Sequence, residues 1–345
     1  MIVTHFQRRP FIHNFSIERV FSTVRRALPS WVDCRVAVCR YRGTNPFKFA
    51  CNLVEAMLRQ AGIAPCNGVN HITGDISYLA LFLRKRNTIL TVHDCVGMVR
   101  LMGWRRRLYR WWWLWLPIRR SAVVTVVSER IKQEVIEYTG CPEEKIRIVP
   151  DPVGEEFRPA PKAFPPAKPI ILQVGTRANK NLGRVAAALK NVPCELHIVG
   201  RLDQADRSQL DREGVPYRVS QDLTDEQMVQ AYEESDLVVL ASTYEGFGMP
   251  IIEAQAVGRP VVASNIEPMV SVAGGSACLV DPWDPESIRR GLLRIIHDAE
   301  YRQELVRRGF ENAGRFSAGS VAEAYLAVYR ELAAVRATKE GLAHA

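Results

Sequence analysis

The chain has 345 residues, 47% apolar and 24% charged, a globular composition that excludes a disordered or collagen-like chain and leaves room for two cores. Its net charge of +9 is uneven: residues 1–150 hold 24 Lys and Arg against 10 Asp and Glu, a balance of +14, and the rest hold 22 against 27, a balance of −5. The basic half therefore seeks polyanions, whether nucleic acid, anionic lipid headgroups or a phosphorylated substrate.

In chain order, residues 1–6 read as a strand running straight into Arg8 and Arg9, unlike a secretory leader. Further short apolar runs at 34–39, 69–73, 88–93, 122–127 and 146–149 alternate with helix-like stretches. Residues 105–120 stand apart, with four tryptophans and six arginines in sixteen positions. Such a segment suits an interfacial helix, its indoles at headgroup depth and its arginines on anionic lipid. A core helix with a basic outer face is the alternative, and the uncharged run 111–118 is too short to span a bilayer. The proline-rich stretch 158–168 reads as a linker, since its prolines block both helix and central strand. Beyond it come runs at 170–175, 195–200, 217–219, 237–241 and 261–264, then a helix near 321–335 long enough to return to the first half. Strands alternating with helices predict an α/β chain of two Rossmann-like domains, 1–160 and 161–345. Ligands in such sheets sit at the carboxyl ends of the strands. The eight cysteines form no C-x-x-C pair and lack histidines at metal spacing, so packed thiols in a reducing, cytoplasmic setting are expected, with no metal.

The most informative segment follows the run at 237–241. Gly246 and Gly248 make a loop whose backbone N–H groups can face a ligand, Pro250 fits the first turn of a following helix, and Gly258 fits its end. A glycine loop opening a helix favours phosphate. Glu253, expected in the first helical turn, can accept hydrogen bonds from a vicinal diol, each charge-assisted bond worth about 1.5–3 kcal/mol. Phosphate at the loop and ribose at the glutamate describe a nucleotide.

Glu245 and Glu253 give E-x7-E within E-G-F-G-M-P-I-I-E-A, which resembles the signature of retaining glycosyltransferase family 4, the group 1 glycosyl transferases. The resemblance implies the GT-B fold, two Rossmann-like domains facing across a cleft. It further implies that Glu253 holds the ribose, that the backbone of Gly246, Phe247, Gly248 and Met249 meets donor phosphate and sugar, and that Glu245 contacts the donor sugar. Val174-Gly175 through Lys180-Asn181 resembles the family's V-G-x-x-x-x-K-N element, in a loop one residue shorter than the common form, and the resemblance makes Arg177 and Lys180 the groups that neutralise the diphosphate. His93 and Asp94 resemble the family's H-D pair near donor sugar and acceptor, although a buried histidine satisfied by backbone is the plainer reading. His71 closes the preceding run in a similar way. Two departures stand out: Asn14-Phe15-Ser16-Ile17-Glu18-Arg19 lacks the glycine pair many relatives carry, and Ser271 replaces a usual glutamate.

The expected function is thus sugar transfer from a nucleotide-diphosphate sugar to an acceptor hydroxyl, with retention implied by the resemblance. The nucleotide sugar is a co-substrate and no cofactor is expected. No D-x-D occurs, consistent with basic side chains instead of a metal at the leaving diphosphate. A lipid-linked acceptor or glycan is expected, with 105–120 on the inner face of the membrane and no nucleic acid partner. The alternatives are an epimerase or phosphorylase on the same fold and a catalytically silent nucleotide-binding scaffold. A dehydrogenase is disfavoured, because no G-x-G-x-x-G follows a strand.

Overall fold

A computed structural model describes residues 1–9, 16–39 and 68–343. Asn14 and Phe15, in the loop without glycines, lie outside the described residues. The chain divides into two compact units, Met1–Pro152 with Ala318–Ala345, and Val153–Ser317.

The first unit carries a parallel sheet of β1 (Ile2–Gln7), β2 (Asp33–Val38), β3 (Val69–Ile72), β4 (Thr88–Val92), β5 (Val123–Val126) and β6 (Ile146–Ile148), in the order β2-β1-β3-β4-β5-β6. Every residue of β3, β4 and β5 is buried, as expected of parallel strands covered on both faces. Helix α1 (Ser16–Ala27) carries Glu18 in its first turn and Arg25 and Arg26 in its last, matching the helix dipole. Helix α2 (Glu129–Thr139) starts at Ser128, whose side chain accepts from the Ile131 N–H, and ends at Gly140 in the left-handed region.

The second unit repeats the pattern with β7 (Ile170–Val174), α3 (Leu182–Leu189), β8 (Glu195–Val199), α4 (Gln204–Glu213), β9 (Tyr217–Ser220), α5 (Asp225–Glu234), β10 (Leu237–Leu240), α6 (Met249–Val257), β11 (Val261–Ser264), β12 (Cys278–Val280), α7 (Pro285–His297) and α8 (Ala299–Gly314). Its sheet is parallel, in the order β12-β11-β10-β7-β8-β9. The direction of winding reverses between β7 and β10, which makes the gap beyond their carboxyl ends the expected ligand crevice.

The division between the units falls earlier than the expected boundary at residue 160. The proline-rich stretch belongs to the second unit: the Ala160 N–H donates to the Val257 carbonyl at 3.1 Å, Arg259 Nη1 donates to the Ala160 carbonyl at 2.8 Å, and Lys162 pairs with Asp236 at 2.8 Å. Helix α9 (Ala318–Ala343) belongs to the first unit and extends beyond the expected 321–335. It buries Val321, Tyr325, Tyr329 and Leu332, one stripe at helical spacing.

The Tyr329 hydroxyl anchors α9 to the sheet. It lies 2.9 Å from His5 Nε2 on β1 and 2.8 Å from His71 Nδ1 on β3, and His71 Nε2 reaches Thr91 Oγ1 at 2.7 Å. His71 is therefore a buried structural residue of the first unit. Burial, with His93 nearby, lowers its pKa to about 3, and burial beside His71 and Arg25 lowers that of His5 well below the usual value. Both stay neutral in the fold and protonate on unfolding. Their contribution is fully present above the unfolded pKa of about 6.5 and is lost as pH falls from there toward the folded value. Stability should drop by up to about 1.4 kcal/mol per pH unit for each histidine over that window. Urea unfolding across the window checks this; in His71→Gln the slope should be shallower.

The tryptophan-rich segment is helical from Gly103–Tyr109 through a π-helical turn, Arg110–Trp115, into Leu116–Arg120. Trp112, Trp113 and Trp115 are half-buried, so most of the run contributes to the first unit's packing. No helix among the described residues is long and apolar enough to cross a membrane.

Candidate active site

The loops after β7 and β10 meet at the reversal point of the second sheet. Asn179 Nδ2 donates to the Tyr244 carbonyl at 2.9 Å, and the Thr243 N–H donates to the Asn179 carbonyl at 2.9 Å. Asn181, in the left-handed region at φ 62°, donates through Nδ2 to the Ala241 carbonyl at 2.8 Å. These bonds fix where Lys180 starts. Its aliphatic stem lies against Gly175, where an added Cβ would come within 3.0 Å of Lys180 Cε and where φ is +92°. Lys180 Nζ then meets Glu245 Oε1 at 2.7 Å. Both partners are largely shielded from solvent, so the charge pair is stronger than a surface one. Arg177, one turn earlier, is exposed.

Gly248 caps α6 at φ 113°, a conformation that L residues rarely adopt, and Pro250 stands in the first turn of the helix. Pro250 carries no N–H and the Ile251 N–H donates to the Gly248 carbonyl at 2.9 Å, which tightens the turn at the positive pole of the helix dipole. Gly246 and Met249 flank the turn, and Phe247 is buried with its ring edge-on to Phe316 at 5.5 Å. The helix starts at Met249, so Glu253 falls in the second turn and not the first. It is only 2% exposed, and its Oε2 accepts from the Tyr232 hydroxyl at 2.6 Å. A carboxylate held this way is pre-aimed by a buried donor.

His93 and Asp94 stand at the carboxyl end of β4 in the first unit. His93 Nε2 faces the Thr73 carbonyl at 3.0 Å, and Nδ1 lies 3.6 Å from Asp151 Oδ1. Asp151 is buried, which raises its pKa against the opposing pull of His93. Asp94 is exposed, and its Oδ1 accepts from the Val96 N–H at 2.9 Å. The histidine's ring atoms therefore face protein acceptors, while the Asp94 carboxylate reaches solvent.

Sequence reasoning did not find Tyr232, Asn179 or Asp151 as parts of these arrangements. The capping box of α5, Thr224 with Gln227, marks that helix in the sequence, but nothing local shows that its Tyr232 reaches a glutamate 21 residues later.

Residues 155–312 match the family model for glycosyl transferases group 1, and residues 69–157 match that for glycosyltransferase family 4. The serotype-specific mannosyltransferase WbdA of Escherichia coli is 25% identical over 222 residues, covering 57% of this chain and 27% of that protein. The D-inositol 3-phosphate glycosyltransferase of Segniliparus rotundus is 40% identical over 106 residues, covering 30% of this chain and 24% of that protein. The chain thus spans about a quarter of the length of these curated relatives. Among solved structures, Anabaena HepE in complex with UDP-glucose superposes with a TM-score of 0.75 at 14% identity, covering 98% of this chain and 100% of that one. With adjoining family matches from residue 69 to residue 312 and a GT-B fold, the chain belongs to the group 1 glycosyltransferases of family 4.

Proposed function

We propose that the chain transfers a sugar from a nucleotide-diphosphate sugar to an acceptor hydroxyl, with retention at the anomeric carbon and without a metal. The observation that carries this reading is the assembly at the second sheet's reversal point: a glycine-opened helix N-terminus, a shielded Lys180–Glu245 pair and a buried, pre-aimed Glu253. The diphosphate sits at the N-terminus of α6, and Glu253 takes the ribose hydroxyls. As the bond from the anomeric carbon to the diphosphate breaks and the bond to the acceptor oxygen forms, negative charge gathers on the departing diphosphate. Lys180 and Arg177 stabilise that charge, and Glu245 holds both Lys180 and the donor sugar. Asp94 orients the acceptor hydroxyl, with His93 positioning that strand end.

A relative named as an O-antigen chain mannosyltransferase of Escherichia coli supports a glycan acceptor. The basic first half supports a cytoplasmic protein resting peripherally on an anionic membrane face. A thermal-shift panel of nucleoside diphosphates and nucleotide sugars tests the donor site. A true ligand at about 100 times its Kd adds about 2.7 kcal/mol of stability. One nucleotide family should stabilise the protein selectively. Stabilisation without sugar transfer to any acceptor would favour the silent scaffold, and no stabilisation at all would sink the donor site.

A further inference from the structure

The helical stretch 103–120 has two apolar faces, and the protein uses only one. On the packed face, the Tyr109 ring lies so close to Gly97 that an added Cβ there would come within 2.4 Å of it. Trp113 lies 6.0 Å from the Tyr78 ring, and its carbonyl, in the π-helical turn, accepts from Ser77 Oγ at 2.9 Å. Leu114, Pro117 and Ile118 are buried. The other face is solvent-facing: Met102 is 83% exposed, Trp104 69%, Leu108 54% and Trp111 47%. Trp104, Leu108 and Trp111 follow at intervals of four and three, so they form one stripe along the helix. Scattered exposed apolar residues are ordinary, but a contiguous row of large ones marks an interaction surface. Arg105, Arg106, Arg107 and Arg110, all exposed, border it.

We infer that the stripe Met102-Trp104-Leu108-Trp111 is the element by which the protein beds into an anionic lipid surface, the indoles entering the headgroup region and the flanking arginines meeting lipid phosphates. The occupant is a bilayer and not a protein groove, because the apolar row is interleaved with the exposed Arg105, Arg106, Arg107 and Arg110 within a half-chain of balance +14. The inference rests on the membrane reading proposed above and changes its residues: the half-buried Trp112 and Trp113 hold the helix to the protein, and the lipid-facing set begins earlier in the chain.

Co-sedimentation with phosphatidylcholine–phosphatidylglycerol vesicles, and with phosphatidylcholine alone, tests it on three proteins: wild type, W104S/L108S/W111S, and R105Q/R106Q/R107Q. Wild type should bind the anionic vesicles well above the neutral ones. The stripe variant should bind them roughly tenfold or more weakly, and the arginine variant should lose the preference for anionic lipid. All substituted side chains are exposed, and an unchanged melting temperature confirms the fold. If wild type stays off anionic vesicles, the membrane reading itself fails. If wild type binds and the stripe variant binds equally, the stripe is overturned while the membrane reading stands. If wild type instead forms a dimer that the stripe variant breaks, the stripe is a protein contact and the inference falls.

Discussion

Replacing Glu253 by glutamine should abolish the stabilisation that a nucleotide sugar gives the wild type while leaving the free protein nearly as stable. The amide keeps an oxygen to accept from the Tyr232 hydroxyl, so the buried donor stays satisfied. What it loses is the charge and one acceptor, since its NH2 group can only donate. Two charge-assisted bonds from ribose at about 1.5–3 kcal/mol each imply a loss of about 100-fold or more in affinity. Glu253→Ala is the poorer test, because it strands the Tyr232 hydroxyl in the core at a cost of about 1–3 kcal/mol and mixes stability with binding. Tyr232→Phe completes the series: it leaves the carboxylate but frees its orientation, and should weaken the donor by no more than about tenfold. Isothermal titration with the stabilising nucleotide measures all three. Equal affinity in Glu253→Gln and wild type would remove Glu253 from the donor site.

The strands were legible because parallel strands covered on both faces read as continuous apolar runs. Leu237–Leu240 and Val261–Ser264 are found from composition alone. Cys278–Val280 was not found, being three residues long with no flanking pattern. The loop around Gly246 and Gly248 was legible for a different reason: glycine, proline and glycine at these spacings have few uses other than opening and closing a helix. Long-range partners were not legible. The proline-rich stretch looks like a linker until Arg259, about a hundred residues later, donates to the Ala160 carbonyl. His71 looks like a strand-end ligand until α9 brings Tyr329 to it. In the tryptophan-rich segment, the sequence shows arginines flanking a run of indoles, but the π-helical turn decides which indoles pack and which stay exposed.

Removing Lys180 should cost catalysis far more than stability. Its ammonium is held by Glu245 at 2.7 Å, and its stem is guided over Gly175, so it is positioned before any ligand arrives. A cation fixed in advance beside a departing diphosphate stabilises charge that develops only in the transition state. Loss of one such donor costs about 100- to 1,000-fold in turnover. Lys180→Ala should therefore lower kcat by that order with a smaller change in KM, the mark of an interaction made chiefly in the transition state. Glu245→Gln should cost less, since it leaves Lys180 charged but loosens its placement. The double variant separates a working pair from two independent residues. If Glu245 acts by placing Lys180, the double variant should be scarcely worse than Lys180→Ala alone, because without the lysine there is nothing left to place. Strictly multiplicative losses would show instead that Glu245 contacts the donor on its own account. A kcat unchanged in Lys180→Ala would return the pair to a structural tie between the loops after β7 and β10.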